Sequence, residues 1–174
     1  MSGATQTIDV LVTVDADYLS AHPNDVGGAI AMLVSRDKID SHASTSDGTA
    51  DSGNELWIDV NPGDNIRWRA TTLSRNFDRV ALITGVRQGN PPNDPKYPGS
   101  ISTPHSFNIP GIPVPYLDKG APHGISKTDV TYTLWQATAE SGGKLWYTIT
   151  FILLDRNLNQ IGQPNSWDPF ITVS

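Results

Sequence analysis

The 174-residue chain contains no cysteine. This absence excludes disulfide bonds, thiolate metal sites, a cysteine nucleophile and a blue-copper centre, whose metal needs a Cys ligand. Charged residues are also scarce, at 17% against about 25% in an average domain. Basic residues are fewer than acidic ones: the chain has 12 Lys and Arg and 18 Asp and Glu, which gives a net charge of −6. That balance disfavours a nucleic acid as a partner.

Long hydrophobic segments and catalytic motifs are missing too. No run approaches the ~18 consecutive apolar residues of a membrane span, so we expect no membrane partner. The first seven residues carry neither Lys nor Arg and no apolar segment, which predicts no secretory signal and a cytoplasmic protein. Motifs such as G-x-S-x-G, G-x-x-x-x-G-K-[ST] and H-E-x-x-H do not occur. We therefore expect neither enzymatic activity nor a cofactor.

Alternating apolar and polar residues dominate the chain. They predict one all-β domain over residues 1–174, an antiparallel two-sheet Greek-key sandwich with turns about every dozen residues. A short helical turn is expected over residues 15–21, and the unbroken apolar run 29–34 predicts a strand buried on both faces. The predicted strands lie within residues 8–14, 29–34, 55–60, 66–69, 78–86, 129–137, 144–154 and 168–173.

The best-defined local pattern is a turn between two alternating runs. Asn61-Pro-Gly-Asp64 predicts a type II turn, because Pro fixes φ and Gly63 supplies the positive φ. We expect a hairpin in which Val60 faces Ile66. Asp59 would then oppose Arg67, and Trp57 would oppose Arg69, on the outward face.

Prolines concentrate in one segment, with nine of the 13 between residues 91 and 122. Because Pro has no N–H to donate, no central strand is expected there. Residues 91–125 are predicted to form a long extended loop, with an edge strand near residues 102–108. A loop longer than ~12–15 residues indicates a functional or interface role.

Charge is distributed unevenly along the chain. Residues 1–65 hold eleven acids against two bases, whereas residues 66–87 hold five arginines against Asp78. The arginines can neutralise the acidic segment within one molecule, across a subunit interface, or bind an anion. Arg67, Arg75 and Arg79 are the candidate interface residues.

Metal and ligand sites have weaker signals. Asp47, Asp51 and Glu55 could form an irregular Ca²⁺ site, although solvated turn residues explain them equally well. The candidate ligand-binding side chains could instead serve the core or an interface, and they are Trp57, Arg69, His105, His123, Trp135 and Trp146. Flat indole rings can stack on a sugar, which suggests a carbohydrate or small molecule. An enzyme would need His105 or His123 beside Asp94 or Asp118.

Several segments resemble the bacterial inclusion-body protein family of the PixA/AidA type. They are Ile8–Asp15 with Tyr18-Leu19, Val60–Arg69 continuing to Asn76, Val80–Ile83, Tyr147–Leu154 and Trp167–Pro169. The resemblance implies a small protein of Gram-negative bacteria, in some cases deposited in cytoplasmic inclusions. Some members are linked to quorum sensing or to life with a host, including virulence. It nominates no catalytic residue. The Pro-Gly-Asp turn and the Asp-Pro before the last strand also resemble cupredoxin-like sandwiches, in topology only.

These observations favour a non-catalytic protein that forms a homo-dimer or a larger homo-oligomer. The low charged fraction, the surplus of aromatic residues and the segregated charges all suit self-association. The alternative is a module that binds a glycan or small molecule, with Ca²⁺ as a possible cofactor. An enzyme with an unrecognised site is the third hypothesis.

Overall fold

A computed structural model of the protein describes residues 4–40, 56–74, 78–91, 94–119 and 124–174. Within these ranges the chain is mostly β and forms two sheets. The helices are α1 (Ala16–Ala21) and α2 (Val26–Ala29), and Arg36–Lys38 form a 3-10 turn. The strands are β1 (Thr7–Val14), β2 (Ile30–Leu33), β3 (Trp57–Val60), β4 (Asn65–Thr72), β5 (Val80–Gln88), β6 (His105–Leu117), β7 (Ile125–Thr138), β8 (Gly143–Leu154), β9 (Gln160–Trp167) and β10 (Phe170–Val173).

Both sheets are mixed rather than antiparallel. The first has the order β2-β1-β4-β7-β6, and the second has the order β3-β10-β8-β5 with β9 also paired to β8. Strand β1 runs parallel to β4, and β10 runs parallel to β3. The all-β prediction is confirmed, but the purely antiparallel arrangement is wrong. The Greek-key connections stay a prediction.

One core lies between the two sheets and is built by the alternating residues of both. Val10, Val12 and Ile66 of the first sheet are buried with Ile58 and Phe151 of the second. A buried hydrogen bond joins the sheets, since the indole N–H of Trp68 donates to the Tyr147 hydroxyl at 3.1 Å. Burial raises the pKa of Tyr147 far above its usual range, so this hydroxyl remains neutral.

The Asn61–Asp64 turn is confirmed, but the hairpin predicted around it is wrong. The Asp64 N–H donates to the Asn61 carbonyl at 3.0 Å, and Gly63 has a φ of 93°. However, β3 belongs to the second sheet and β4 to the first, so Val60 does not pair with Ile66. Nor does Asp59 oppose Arg67, or Trp57 oppose Arg69. The turn carries the chain across the core instead of back along the same sheet.

Two other expectations about strands are corrected. The predicted loop 91–125 contains β6, which is an edge strand, so its prolines interrupt no central ladder. Strand β2 is buried on one face only, because Leu33 is 48% exposed. In β7, Trp135 and Ala137 point inward, and Val130, Tyr132 and Leu134 share the other face. The helical turn over residues 15–21 is confirmed as α1.

We expect Tyr147→Phe to lower the free energy of unfolding by about 1–3 kcal/mol, because the buried Trp68 N–H would lose its acceptor. Urea denaturation measures the change. Tyr132→Phe, at a 48% exposed side chain, is the control and should stay within about 0.5 kcal/mol. Equal effects of the two substitutions would mean that the hydrogen bond between the sheets contributes nothing to stability.

Asp64 holds the turn to the first strand. Its carboxylate accepts from the backbone N–H of Gln6 at 2.8 Å and of Asn61 at 2.9 Å. Burial opposes ionisation of Asp64, but these hydrogen bonds outweigh it and hold the pKa below its usual value. The ionised carboxylate therefore stabilises the folded chain.

We expect the stability contributed by Asp64 to be complete above about pH 4, where the unfolded side chain is also ionised. It is lost as the pH falls through the lowered pKa of the folded state. Urea unfolding between pH 2.5 and pH 6 tests this. Asp64→Asn should flatten the acid part of the profile, whereas Asp129→Asn, at an exposed position, should leave it unchanged. An Asp64→Asn profile parallel to the wild type would refute the expectation.

Candidate functional site

Two of the three candidate tryptophans are neighbours, because Trp57 and Trp146 both pair with Phe170 in the second sheet, whereas Trp135 lies in the first. Their role in ligand binding stays a prediction. Trp57 is 8% exposed, stacks on Phe170 with the ring centroids 4.8 Å apart, and donates to the Thr172 hydroxyl at 2.9 Å. The Lys144 ammonium lies 4.6 Å from the centre of its ring. Trp57 therefore packs on the outer surface of the second sheet.

Trp135 and Trp146 also make contacts within the protein. The Trp135 indole N–H donates to the Ile83 carbonyl at 3.0 Å and so ties β7 of the first sheet to β5 of the second. Trp146 packs directly against Gly89, where an added Cβ would come within 2.0 Å of the indole ring. Both rings are only partly exposed and both support the junction of strands or loops.

Three arginines of the segment 66–87 pair with acids of the same molecule. Arg67 forms a two-pronged pair with Asp9, with Nε to Oδ1 at 2.9 Å and Nη2 to Oδ2 at 2.8 Å. Arg69 lies 3.9 Å from the same carboxylate. Arg79 pairs with Asp17 of helix α1 at 3.3 Å and also bonds Ser20. The charge segregation of the sequence thus supports intramolecular pairing, and an interface role for Arg67 or Arg79 stays a prediction.

Several candidate residues lie outside the described ranges, namely Asp47, Asp51, Glu55, Arg75 and His123. The Ca²⁺ site and the ligand-binding role of His123 stay predictions. His105 is exposed at the start of β6, opposite Gln136. In the part of the chain that the structure describes, no group of three or more His, Asp or Glu side chains could hold a metal ion. Over the same residues, no helix is long and apolar enough to cross a membrane.

The most unusual surface is a two-stranded arm, whose β6 strand lies in the segment predicted to be a loop and whose β7 strand includes the predicted strand 129–137. Strands β6 and β7 pair from His105 opposite Gln136 to Leu117 opposite Ile125. Strand β4 accompanies β7 only over residues 135–138, so residues 107–117 and 125–134 extend beyond the sheet as a ribbon. We call this ribbon the arm.

The arm is apolar on one face. Cross-strand partners share a face, and Phe107 pairs with Leu134, Ile109 with Tyr132, and Ile112 with Val130. Val114 and Tyr116 continue the same face toward the tip. We call these side chains the apolar face of the arm. Among them Phe107 is 46%, Tyr116 51% and Tyr132 48% exposed.

A bulge aligns the two halves of this face. Ile109 and Ile112 are three residues apart and would point to opposite sides of a regular strand. The register shifts between them, and Gly111 adopts a φ of 72°. One extra residue in β6 therefore returns Ile112 to the side of Ile109. The opposite face carries Asn108 and, on β7, Thr131, Asp129 and Lys127. Its β6 side adds Pro113 and Pro115, and its tip ends in the exposed side chains Leu117 and Ile125.

We expect Arg67→Met to lower the free energy of unfolding by less than about 1 kcal/mol, because the pair with Asp9 is partly exposed. The oligomeric state should not change. Urea denaturation and light scattering measure the two outcomes, with Arg69→Met as the matched variant. A change of assembly with Arg67→Met alone would place Arg67 in an interface.

Comparisons with known proteins concern the whole chain. The family model described as PixA, inclusion body protein, matches residues 6–173. The crystal structure of an inclusion body protein of this family from Burkholderia cenocepacia J2315 has a TM-score of 0.69 and 21% identity, over 100% of this chain and 99% of that one. At this identity the likeness shows the fold alone.

Two other comparisons add nothing to the argument. The solution structure of amebosin has a TM-score of 0.24 and 17% identity, over 70% of this chain and 91% of that one, which is too low to support an inference. No curated protein sequence matches the chain.

Proposed function

The chain belongs to the PixA inclusion body protein family, and from this membership we propose that it acts by binding copies of itself rather than by catalysis. The assembly would accumulate in the cytoplasm as inclusions. The observation that carries this proposal is the apolar face of the arm. It exposes aromatic and aliphatic side chains on a two-stranded ribbon, a structure that is marginally stable in water unless something covers it.

A second copy of the chain suits this surface for a reason of charge. The molecule carries a net charge of −6, so two copies repel unless they meet where charge is absent. Residues 97–117 and 130–139 contain no Asp, Glu, Lys or Arg. Contact between two arms through their apolar faces therefore brings no like charges together, because Lys127 and Asp129 lie on the opposite face. The same negative charge disfavours insertion of the arm into an anionic membrane.

The copies would meet through the face of the arm and not through its edge. Strand β6 is the edge of its sheet, and edge strands can recruit another strand through free N–H groups. Pro113 and Pro115 pair with residues of β7, so their nitrogens, which carry no hydrogen, point away from β7 toward the open edge. Two successive donors are thereby removed from that edge. Face-to-face packing about a two-fold axis remains, because an apolar face complements itself.

The area of the apolar face of the arm sets the affinity that we expect for self-association. Ten residues of strand span about 33 Å, and two strands are about 10 Å wide, which gives a flat area of roughly 330 Å² per copy. This is less than half of the ~800 Å² that each partner buries in a standard interface. We therefore expect micromolar rather than nanomolar association.

Size-exclusion chromatography with light scattering should find a dimer or larger assembly at micromolar concentration. The double variant Phe107→Glu/Tyr132→Glu places charges on the apolar face and should weaken association at least about 100-fold. Asn108→Glu/Thr131→Glu adds the same charge to the opposite face at the same level of the arm, and should associate like the wild type.

Two results would contradict the proposal in different ways. A wild-type chain that stays monomeric near millimolar concentration would refute self-association. Equal association of both double variants would refute the arm as its surface. In cells, the apolar-face variant should also lose the inclusions that the wild type and the opposite-face variant form, as seen by microscopy of the tagged chains.

A further inference from the structure

A cavity lies away from the arm, beside residues 88–100 at the start of the proline-rich segment. It has a volume of about 590 Å³, within the range of small-molecule sites. Its lining comes mainly from the segment between β5 and β6, together with Ser141 from the turn before β8. The lining residues that matter below are Asn90, Asp94, Tyr97, Ser100 and Ser141.

The segment that lines the cavity is fixed at both ends by glycines. The Gly89 N–H donates to the Trp146 carbonyl at 2.8 Å, and the Gly99 N–H donates to the Lys144 carbonyl at 3.0 Å. A Cβ on Gly89 would lie 2.0 Å from the Trp146 ring, and one on Gly99 would lie 2.3 Å from the Gly143 carbonyl oxygen. These approaches to β8 are open only to glycine. Both ends of the lining segment are therefore held against β8.

Asn90 lines this cavity and carries an unused hydrogen-bond acceptor. The residue is 5% exposed, and its side-chain Nδ2 donates to the Tyr97 carbonyl at 3.0 Å. A carbonyl can only accept, so this bond fixes the orientation of the amide and turns Oδ1 away from Tyr97. Among the described residues, Oδ1 has no hydrogen-bond partner. A buried acceptor of this kind is costly to the protein unless a ligand or water donates to it.

The other lining groups indicate a ligand that donates several hydrogen bonds. One oxygen of the Asp94 carboxylate accepts from the Lys96 N–H at 2.9 Å, which leaves the second oxygen as an acceptor. The Ser100 hydroxyl oxygen accepts from the Ser141 N–H at 3.2 Å. Neither Lys nor Arg lines the cavity, so an anion is not favoured.

Asp94 is the charged residue of the lining. The Lys96 ammonium lies 5.1 Å from the centre of the Tyr97 ring, on a residue that does not itself line the cavity. The Tyr97 ring and the neighbouring prolines supply apolar surface on which the C–H face of a sugar can pack.

We propose that this cavity is a binding site for a neutral polyhydroxylated ligand, a mono- or disaccharide, with Asn90 Oδ1 and the Asp94 carboxylate accepting from its hydroxyl groups. The site is separate from the apolar face of the arm and does not depend on self-association. It gives the protein a second function as a sugar-binding module.

Titration of the ¹⁵N-labelled full chain followed by NMR tests the site. The probes are glucose, galactose, mannose, N-acetylglucosamine and trehalose, with spermidine as a cationic probe. We expect at least one sugar to shift the side-chain amide signals of Asn90 and the backbone signals of residues 94–100, with saturation in the millimolar range or below. Asp94→Ala should weaken that binding at least tenfold.

The control for lost charge is Asp37→Ala, because Asp37 is exposed and lies outside the cavity lining. It should bind the sugar like the wild type. Because Asn90→Leu could disturb the fold, Asp94→Ala at a partly exposed side chain carries the test. No shift with any sugar at saturating concentration, shifts confined to other parts of the chain, equal binding by Asp94→Ala, or binding of spermidine alone would each overturn the proposal.

Discussion

The hydrogen bond between Trp68 and Tyr147 is the constraint on which the rest of the molecule depends. It is the polar contact at the centre of an otherwise apolar core, and its two members belong to different sheets. A buried polar pair specifies one arrangement, because any slip of either sheet leaves a donor without its acceptor. Strands β4 and β8 are thereby fixed relative to each other. Strand β7 pairs with β4, so the position of the arm follows from the same constraint.

Much of the local structure could be predicted from the sequence, whereas the pairing of strands could not. Alternation located β1, β4 and β8, and Pro62 with Gly63 located the turn. In the sequence, a short turn between two apolar runs has the same pattern whether the two strands pair or enter different sheets. The contact that the pattern does not show is the one between the Asp64 carboxylate and Gln6, which is distant in the sequence. Parallel pairing, such as that of β1 with β4, leaves no local signal at all.

The apolar face of the arm could not be predicted from the sequence, for two physical reasons. Prolines 110, 113 and 115 predicted a loop, although an edge strand tolerates Pro wherever its nitrogen points outward. The apolar stripe of β6 also changes phase at Gly111, so Phe107 and Ile109 alternate correctly, as do Ile112 and Val114, but the two halves do not match each other. The tryptophans left two roles open, a ligand surface and a place in the core or an interface. Trp57, Trp135 and Trp146 each contact groups of the same chain, and their ligand role stays a prediction.

The pairing of β10 with β3 has a consequence for how the protein is made. Residues 170–173 complete the second sheet by lying beside residues 57–60, so contacts of very long sequence separation close the fold. Folds of high contact order form slowly, and a chain leaving the ribosome cannot finish this one until residues 170–173 have emerged. Until then β3 and β8 lack the strand that joins them, and both present an unpaired edge.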